Sequence, residues 1–236
     1  MKCRATFNIC AIMVILLITW GLSSKSFDRW QKARQFLEYD FIREIALTLK
    51  TVSVTIAPEP KCSLSRVCLP DRFALNIRSG AANVVGPKIC FEGKIIMSHV
   101  LNNVRPGLNI VVVNDESGDV ENVDSLNMKN GNTEEILEYL RNIKPGMIVL
   151  AASFGDVTQV LTDEIREVFV GMGSTLIEAV KSRDGWVFAG RAGAQNKSLY
   201  EKHAVSNKET NIYEGWPGIV EIGGCFPKTL TGGLNL

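Results

Sequence analysis

The amino-acid sequence predicts a single mixed α/β domain that follows a short N-terminal extension. The chain has 236 residues, of which 46% are hydrophobic and 22% charged, the balance of an ordinary globular protein. Short apolar runs with the period of two that strands require are interleaved with segments of helical periodicity. Many short strands combined with two or three helices are typical of an α+β or mixed α/β domain with one core.

The first 23 residues have the pattern of a secretory signal peptide or an uncleaved signal-anchor. Lys2 and Arg4 form a basic start, and a nearly uninterrupted apolar run extends from Ala5 to Leu22. We expect cleavage after Ser23, since small residues occupy the two positions that a signal peptidase reads. The alternative is a retained anchor, because a run of this length is borderline for spanning a bilayer. The sequence therefore predicts passage through the ER and Golgi to secretion, or anchoring in the Golgi membrane.

The net charge and the number of cysteines indicate which cell compartment the protein folds in and which partners it can bind. Removing Lys2 and Arg4 with the first 23 residues changes the formal net charge from +1 to −1, and the chain has no cluster of basic residues, so nucleic acid is not an expected partner. Four cysteines then remain, an even number that predicts two disulfides in an oxidising compartment, with three possible pairings. A zinc site is not expected, because no histidine lies near the first cysteines. These four are Cys62, Cys68, Cys90 and Cys225.

Residues 24–60 are predicted to form a helical stem and a linker. Apolar side chains recur every three or four residues between Lys25 and Lys50, which is the spacing of one helix face. Ala57-Pro-Glu-Pro60 ends this helix, because proline interrupts the helical backbone. The pattern favours an accessory helix outside the main core.

Strands predominate from Arg72 onward. The alternation over Phe73–Ile77, the pair Val84-Val85, and the run Lys88–Met97 with a break at Glu92-Gly93 each predict extended backbone. The apolar run Gly107–Val113 predicts a central strand, and after the turn at Asn114–Gly118 the chain returns as its hairpin partner. That partner is predicted over Asp119–Leu126.

The second half of the domain alternates helices with strands. Asn132 is a predicted N-cap for a helix over Thr133–Ile143, and the acidic turn after Thr162 begins another that extends to Phe169. Thr175–Lys181 predicts a further short helix. Strands are predicted at Met147–Ala152, at Trp186–Gly190 and in the closing segment, where Ile219 to Gly224 alternates before Cys225.

No motif in the chain indicates catalysis or a cofactor. His99 and His203 have no metal-ligand spacing, and neither a nucleophile elbow nor a phosphate loop is present. We therefore expect a binding or signalling protein that is not an enzyme. Asn196-Lys-Ser198 is a sequon for N-glycosylation and is expected in a polar loop of a secreted chain.

Four segments together resemble the small secreted family of the interleukin-like EMT inducer and pancreatic-derived factor, and the resemblance spans about Lys61–Lys228. It implies a globular domain over 61–228, a tail over 229–236, and a compact β-β-α fold with two twisted sheets and flanking helices. It also implies the disulfides Cys62–Cys90 and Cys68–Cys225, and a cytokine- or hormone-like signal that binds an unidentified cell-surface receptor or glycan. The four segments are Ser79–Cys90, Gly107–Asn114, Arg183–Phe188 and Tyr213–Pro227.

A similar domain forms the stem of a protein O-mannose N-acetylglucosaminyltransferase and binds N-acetylglucosamine there. This similarity implies Arg105 and Asp156 as candidate carbohydrate-binding residues, with Arg105 displaced by one position because Pro106 occupies the expected place. The alternative function is therefore a lectin-like module for N-acetylglucosamine-type glycans. The chain departs from the family at Leu126-Asn127-Met128, which is neutral where relatives carry an acidic residue, and at Ala189, where some members carry a cysteine for covalent dimers.

Overall fold

The computed structural model describes residues 13–21, 32, 34, 38–44, 58–82 and 84–229. Its contacts divide the chain into two units, Met1–Ala57 and Pro58–Leu236. In the first unit, the described residues 13–21, 32, 34 and 38–44 are helical, and they fall inside the predicted apolar segment and stem helix. The remainder of those two segments, the predicted cleavage position and the residues after Thr229 lie outside the described part. No helix in the described part is long and apolar enough to cross a membrane.

The two apolar runs predicted as central strands are buried along their whole length in the second unit. Together with these two, the described residues of the second unit form nine strands, and they also form two α-helices. The strands are β1 (Arg72–Arg78), β2 (Lys88–Phe91), β3 (Lys94–Ser98), β4 (Gly107–Val113), β5 (Val120–Leu126), β6 (Ile148–Phe154), β7 (Gly185–Arg191), β8 (Tyr200–Ala204) and β9 (Glu221–Pro227). The helices are α1 (Thr133–Arg141) and α2 (Asp163–Val170), and a 3-10 turn covers Ile177–Ala179.

The strands form two antiparallel sheets, with the orders β3-β2-β1-β9 and β5-β4-β6-β7-β8. The side chains of a strand alternate between the two faces of its sheet. Because every residue of β4 and β6 is buried, the larger sheet is covered on both faces at its centre. One face packs on the smaller sheet through residues such as Leu75, Val111 and Leu150, and the other packs on the helices through Ile110, Phe169 and Trp186. The three layers, sheet on sheet on helices, confirm the predicted α+β class and the β-β-α arrangement.

The helices begin where the sequence places their caps. The Asn132 side chain accepts a hydrogen bond from the Glu134 N–H at 2.9 Å, and the Thr162 hydroxyl accepts one from Ile165 at 3.4 Å. These bonds satisfy amides that have no partner inside the first helical turn. Both helices then bury one apolar face against the larger sheet.

The register of the central strands defines two ends of the sandwich. At one end Gly107 lies opposite Phe154, and at the other Ile148 lies opposite Val113 and Arg191. These are called the Phe154 end and the Arg191 end below. In the smaller sheet, strand β1 ends at the Phe154 end, because the N–H of Gly80, two residues after β1, donates to Ser153 O.

Three segments differ from the sequence prediction. Val84 lies in a turn and Val85 forms an isolated bridge to Ala81, so this pair is not a strand. The predicted helix at Thr175–Lys181 is reduced to the 3-10 turn, because Leu176 and its neighbours bond to a side chain instead of continuing a helix. Strand β8 is absent from the prediction, since its sequence Tyr-Glu-Lys-His-Ala is too polar to show an apolar alternation.

Candidate functional site

Arg105 and Asp156 both lie at the Phe154 end of the sandwich. Each is two residues beyond Gly107 and Phe154, the last pair in register between β4 and β6. The turn before β4 is tight: Gly107 has a φ of +123°, and a Cβ there would stand 2.0 Å from Leu126 O. The structure thus places the two candidate residues at one edge, although the hydrogen bonds of each go to residues other than its counterpart.

Asp156 holds two turns together. Its Oδ1 accepts hydrogen bonds from the Thr158 N–H and hydroxyl at 2.9 and 2.7 Å, and its Oδ2 accepts one from the Ser182 hydroxyl at 2.5 Å. Burial alone would raise the pKa of Asp156, but these hydrogen bonds and the nearby Arg183 N–H favour the ionised form and hold the pKa below its ordinary value. A carboxylate offers about four acceptor positions, so these three bonds occupy most of them.

Arg105 is fixed mainly by backbone carbonyls. Its guanidinium donates to Val104 O at 2.8 Å and to Asn102 O at 3.1 Å, while the side chain itself remains exposed. The Arg105 N–H donates to Oδ1 of the buried Asn109 at 2.9 Å, which ties this turn to β4. A guanidinium has five donor N–H groups, so Arg105 retains donors that can reach a ligand.

An aromatic cleft lies at the same end of the sandwich. Its volume is about 320 Å³, and its walls include Tyr213, Trp216 and Val84. The Arg183 guanidinium lies 5.6 Å from the centre of the Trp216 ring, a cation–π distance. Arg183 has a φ of +68°, which is uncommon outside glycine, and the preceding residue, Ser182, is bonded to the Asp156 carboxylate through its hydroxyl.

Below this cleft, Asp184 connects three segments. It is 3% exposed and accepts hydrogen bonds from the Lys181 and Ser206 N–H groups at 2.7 and 2.6 Å. His203 Nε2 lies 2.7 Å from Asp184 Oδ2, the oxygen that also accepts from the Lys181 N–H. The pair links the residue before β7 to β8.

Comparison with known proteins identifies the family. The family model described as interleukin-like EMT inducer matches residues 106–194. Protein FAM3C of Rattus norvegicus is 44% identical over 174 residues, which cover 74% of this chain and 77% of that protein. Protein FAM3D of Mus musculus is 42% identical over 186 residues, covering 79% and 82%, and Protein FAM3A of Pongo abelii is 36% identical over 241 residues, covering 98% and 99%.

The chain belongs to the FAM3 family. The predicted resemblance to the interleukin-like EMT inducer is thereby confirmed, and the chain is a cytokine-like protein. The family model covers the larger sheet from before β4 to just after β7, together with both α-helices. This region contains Asp156 and Arg183, whereas Arg105 lies immediately before it.

The cysteines of this FAM3-family chain pair as the family resemblance implies. Cys62 bonds to Cys90 with a Cα–Cα distance of 5.6 Å, and Cys68 bonds to Cys225 with a Cα–Cα distance of 5.4 Å. Cys90 lies on β2 and Cys225 on β9, the two strands that flank β1. The disulfides therefore attach the segment before β1 to both neighbours of that strand.

Asn196 lies in the loop between β7 and β8, and its side chain is exposed. The hydroxyl of Ser198, the third residue of the sequon, donates to Ala189 O and accepts from the Tyr200 N–H at 3.0 Å. The folded loop thus presents the asparagine outward while the serine anchors the loop to β7.

Sequence reasoning missed two sets of residues at these sites. Arg183 and Trp216 are far apart in sequence, and the segment containing Trp216 gave only the signal of a turn with aromatics. Arg72 and Arg191 likewise meet only after β1, β7 and β9 are assembled, because both line one cleft at the Arg191 end. No motif spacing connects the members of either set.

Proposed function

We propose that this FAM3-family chain is a secreted, non-catalytic signalling protein that acts by binding a cell-surface receptor. The observation that carries the proposal is the pair of disulfides in a cytokine-like domain, since such bonds persist in oxidising compartments. The N-terminal pattern of residues 1–23 supplies a route into the ER, and Asn196 is proposed as a glycosylated residue.

The absence of catalysis is supported by how the structure uses its carboxylates. Asp115, which is 5% exposed, pairs with Arg191 at 2.7 Å and accepts from the Thr229 N–H. Glu201 accepts from the Trp186 Nε1–H and from the amides that begin the 3-10 turn. Asp115 and Glu201 are thus both engaged in structural roles, which argues against either of them as a general acid or base.

Binding of the full chain to intact cells tests the proposal. The labelled protein should bind saturably and be displaced by excess unlabelled protein, while N-acetylglucosamine oligosaccharides should displace none of it. Binding that grows linearly with concentration, without displacement, would contradict a receptor-directed signal.

The second candidate function is a carbohydrate-binding module, either free or anchored in the Golgi membrane. The aromatic cleft favours it, because Tyr213 and Trp216 provide apolar ring surfaces, and the charged Arg183 lies over the Trp216 ring. On a glycan array, Arg105→Ala and Asp156→Ala should each abolish binding to N-acetylglucosamine-type glycans. Unchanged glycan binding by Asp156→Ala would remove that residue from the site.

A further inference from the structure

We propose that the cleft at the Arg191 end binds an organic anion that carries a carboxylate or sulfate group. The cleft has a volume of about 430 Å³, within the usual range for small-molecule sites. Three cationic side chains line it, those of Arg72, Arg191 and Lys197, and none of the described residues that line it is acidic. This site lies at the opposite end of the sandwich from Arg105 and Asp156, so it stands independently of the lectin hypothesis.

The Arg191 guanidinium has two hydrogen-bond partners on its NH2 group and none, among the described residues, on its Nε. Its NH2 group donates to Asp115 at 2.7 Å and to Pro227 O at 2.7 Å, and its guanidinium lies 5.4 Å from the centre of the Phe226 ring. Its Nε is buried and has no hydrogen-bond partner among the described residues. A buried donor without a partner is unfavourable, so a ligand oxygen that reached the Arg191 Nε would stabilise the complex.

Arg72 and Lys197, the other two cationic side chains of the cleft, lack partners as strong as those of Arg191. The hydrogen bond from Arg72 NH1 to Cys225 O is 3.5 Å long, at the limit of a real interaction. Lys197 is exposed, and no hydrogen bond or ion pair joins it to another described residue. Because Asp115 neutralises Arg191 alone, the cleft keeps an uncompensated positive charge from Arg72 and Lys197.

The other side chains that line the cleft indicate that the ligand also has an apolar part. Apolar side chains of Met172, Leu199 and Phe226 border the cleft, together with the Tyr200 ring. A purely inorganic anion would leave this apolar surface unused, whereas an organic body would cover it. Arginine forks match the paired oxygens of carboxylates and sulfates. A sulfated sugar and a free carboxylic acid share this chemistry, so the test must separate them.

The experiment is a ¹H–¹⁵N NMR titration of the full chain with three probes: a sulfated heparin disaccharide, octanoate and inorganic sulfate. We expect an organic probe to shift the amides of residues 193–200, with a dissociation constant that rises at least tenfold in Arg72→Gln/Lys197→Gln. The control variant Lys94→Gln/Lys129→Gln removes the same charge from exposed lysines elsewhere and should bind as the wild type does. Arg191 is left intact, because removing it would leave the buried Asp115 carboxylate without its ion-pair partner.

Each outcome decides the proposal or its ligand. Binding of the disaccharide alone supports a sulfated sugar, and binding of octanoate alone supports a free carboxylic acid. Shifts confined to other residues, equal affinity in the double variant, or no binding by either organic probe would overturn the proposal. Inorganic sulfate binding as tightly as the organic probes would also overturn it, because the cleft would then recognise charge alone.

Discussion

At the Phe154 end of the sandwich, the Asp156 carboxylate accepts three hydrogen bonds, two from Thr158 and one from Ser182. At the Arg191 end, by contrast, Arg72 and Lys197 border an open cleft and the Arg191 Nε has no partner among the described residues. Both ends contain charged side chains, but Asp156 is committed to holding turns, whereas Arg72 and Lys197 have no comparable partners. The charge that matters for binding is therefore the charge that folding leaves uncompensated.

The two ends also differ in how they are secured. Cys225, near the Arg191 end of β9, lies opposite Ala74, and its disulfide reaches the segment before β1. The Phe154 end depends on hydrogen bonds such as those of Asp184. Four changes can break or sharpen this contrast.

The largest effect is expected from removing Cys68–Cys225, which closes a separation of 157 residues. Cys68→Ser/Cys225→Ser should lower the free energy of unfolding by about 5 kcal/mol, because the unfolded chain regains the entropy of that loop. Cys62→Ser/Cys90→Ser, with a separation of 28 residues, should lower it by about 4 kcal/mol. Chemical denaturation checks both values, and a larger loss for the shorter loop would show that strain or packing, not loop entropy, dominates.

At the Phe154 end, Asp184→Ala should lower the free energy of unfolding by about 3 kcal/mol, because it leaves His203 and two backbone N–H groups without their buried partner. Thermal unfolding measures the loss, with Asp163→Ala at the exposed start of α2 as the matched control. A loss as small as that of the control would mean that water replaces the carboxylate at no cost.

The cations of the Arg191 end should matter little for folding. Arg72→Gln/Lys197→Gln should change the free energy of unfolding by less than about 0.5 kcal/mol, since neither side chain has a strong partner in the described part of the chain. Denaturation in urea checks this. A loss comparable to that of Asp184→Ala would show that these cations are structural, which would erase the contrast between the ends.

The smallest effect concerns acid stability. Because the folded pKa of Asp156 lies below its ordinary value, ionised Asp156 stabilises the folded state above that ordinary value, and this contribution is lost as the pH falls through the folded pKa. Asp156→Asn should therefore weaken the dependence of stability on pH in the acid range below about pH 4 and leave its slope near neutrality unchanged. Midpoints of thermal unfolding measured across that range test the sign.

The sequence predicts most of the fold because apolar periodicity reports burial directly. Gly107–Val113 is an apolar run interrupted only by Asn109, and the structure buries it on both faces. The strand Tyr200–Ala204 escapes prediction because it is an edge strand whose Glu201 carboxylate is satisfied by residues distant in sequence. For the same reason, the sequence identifies Arg105 and Asp156 only through a family resemblance. Whether a charged side chain is saturated or free depends on contacts that form after folding.

The central claim is that the protein is secreted, and its most direct test is the location of the expressed chain. Cells that express the full sequence should release into the medium a protein whose N-terminus is Ser24, and non-reducing peptide mapping of that protein should recover Cys62–Cys90 and Cys68–Cys225 peptides. Intact mass before and after removal of N-glycans reports on Asn196 in the same sample. Recovery of the whole product in the membrane fraction, with residues 1–23 still attached, would contradict a secreted signalling protein.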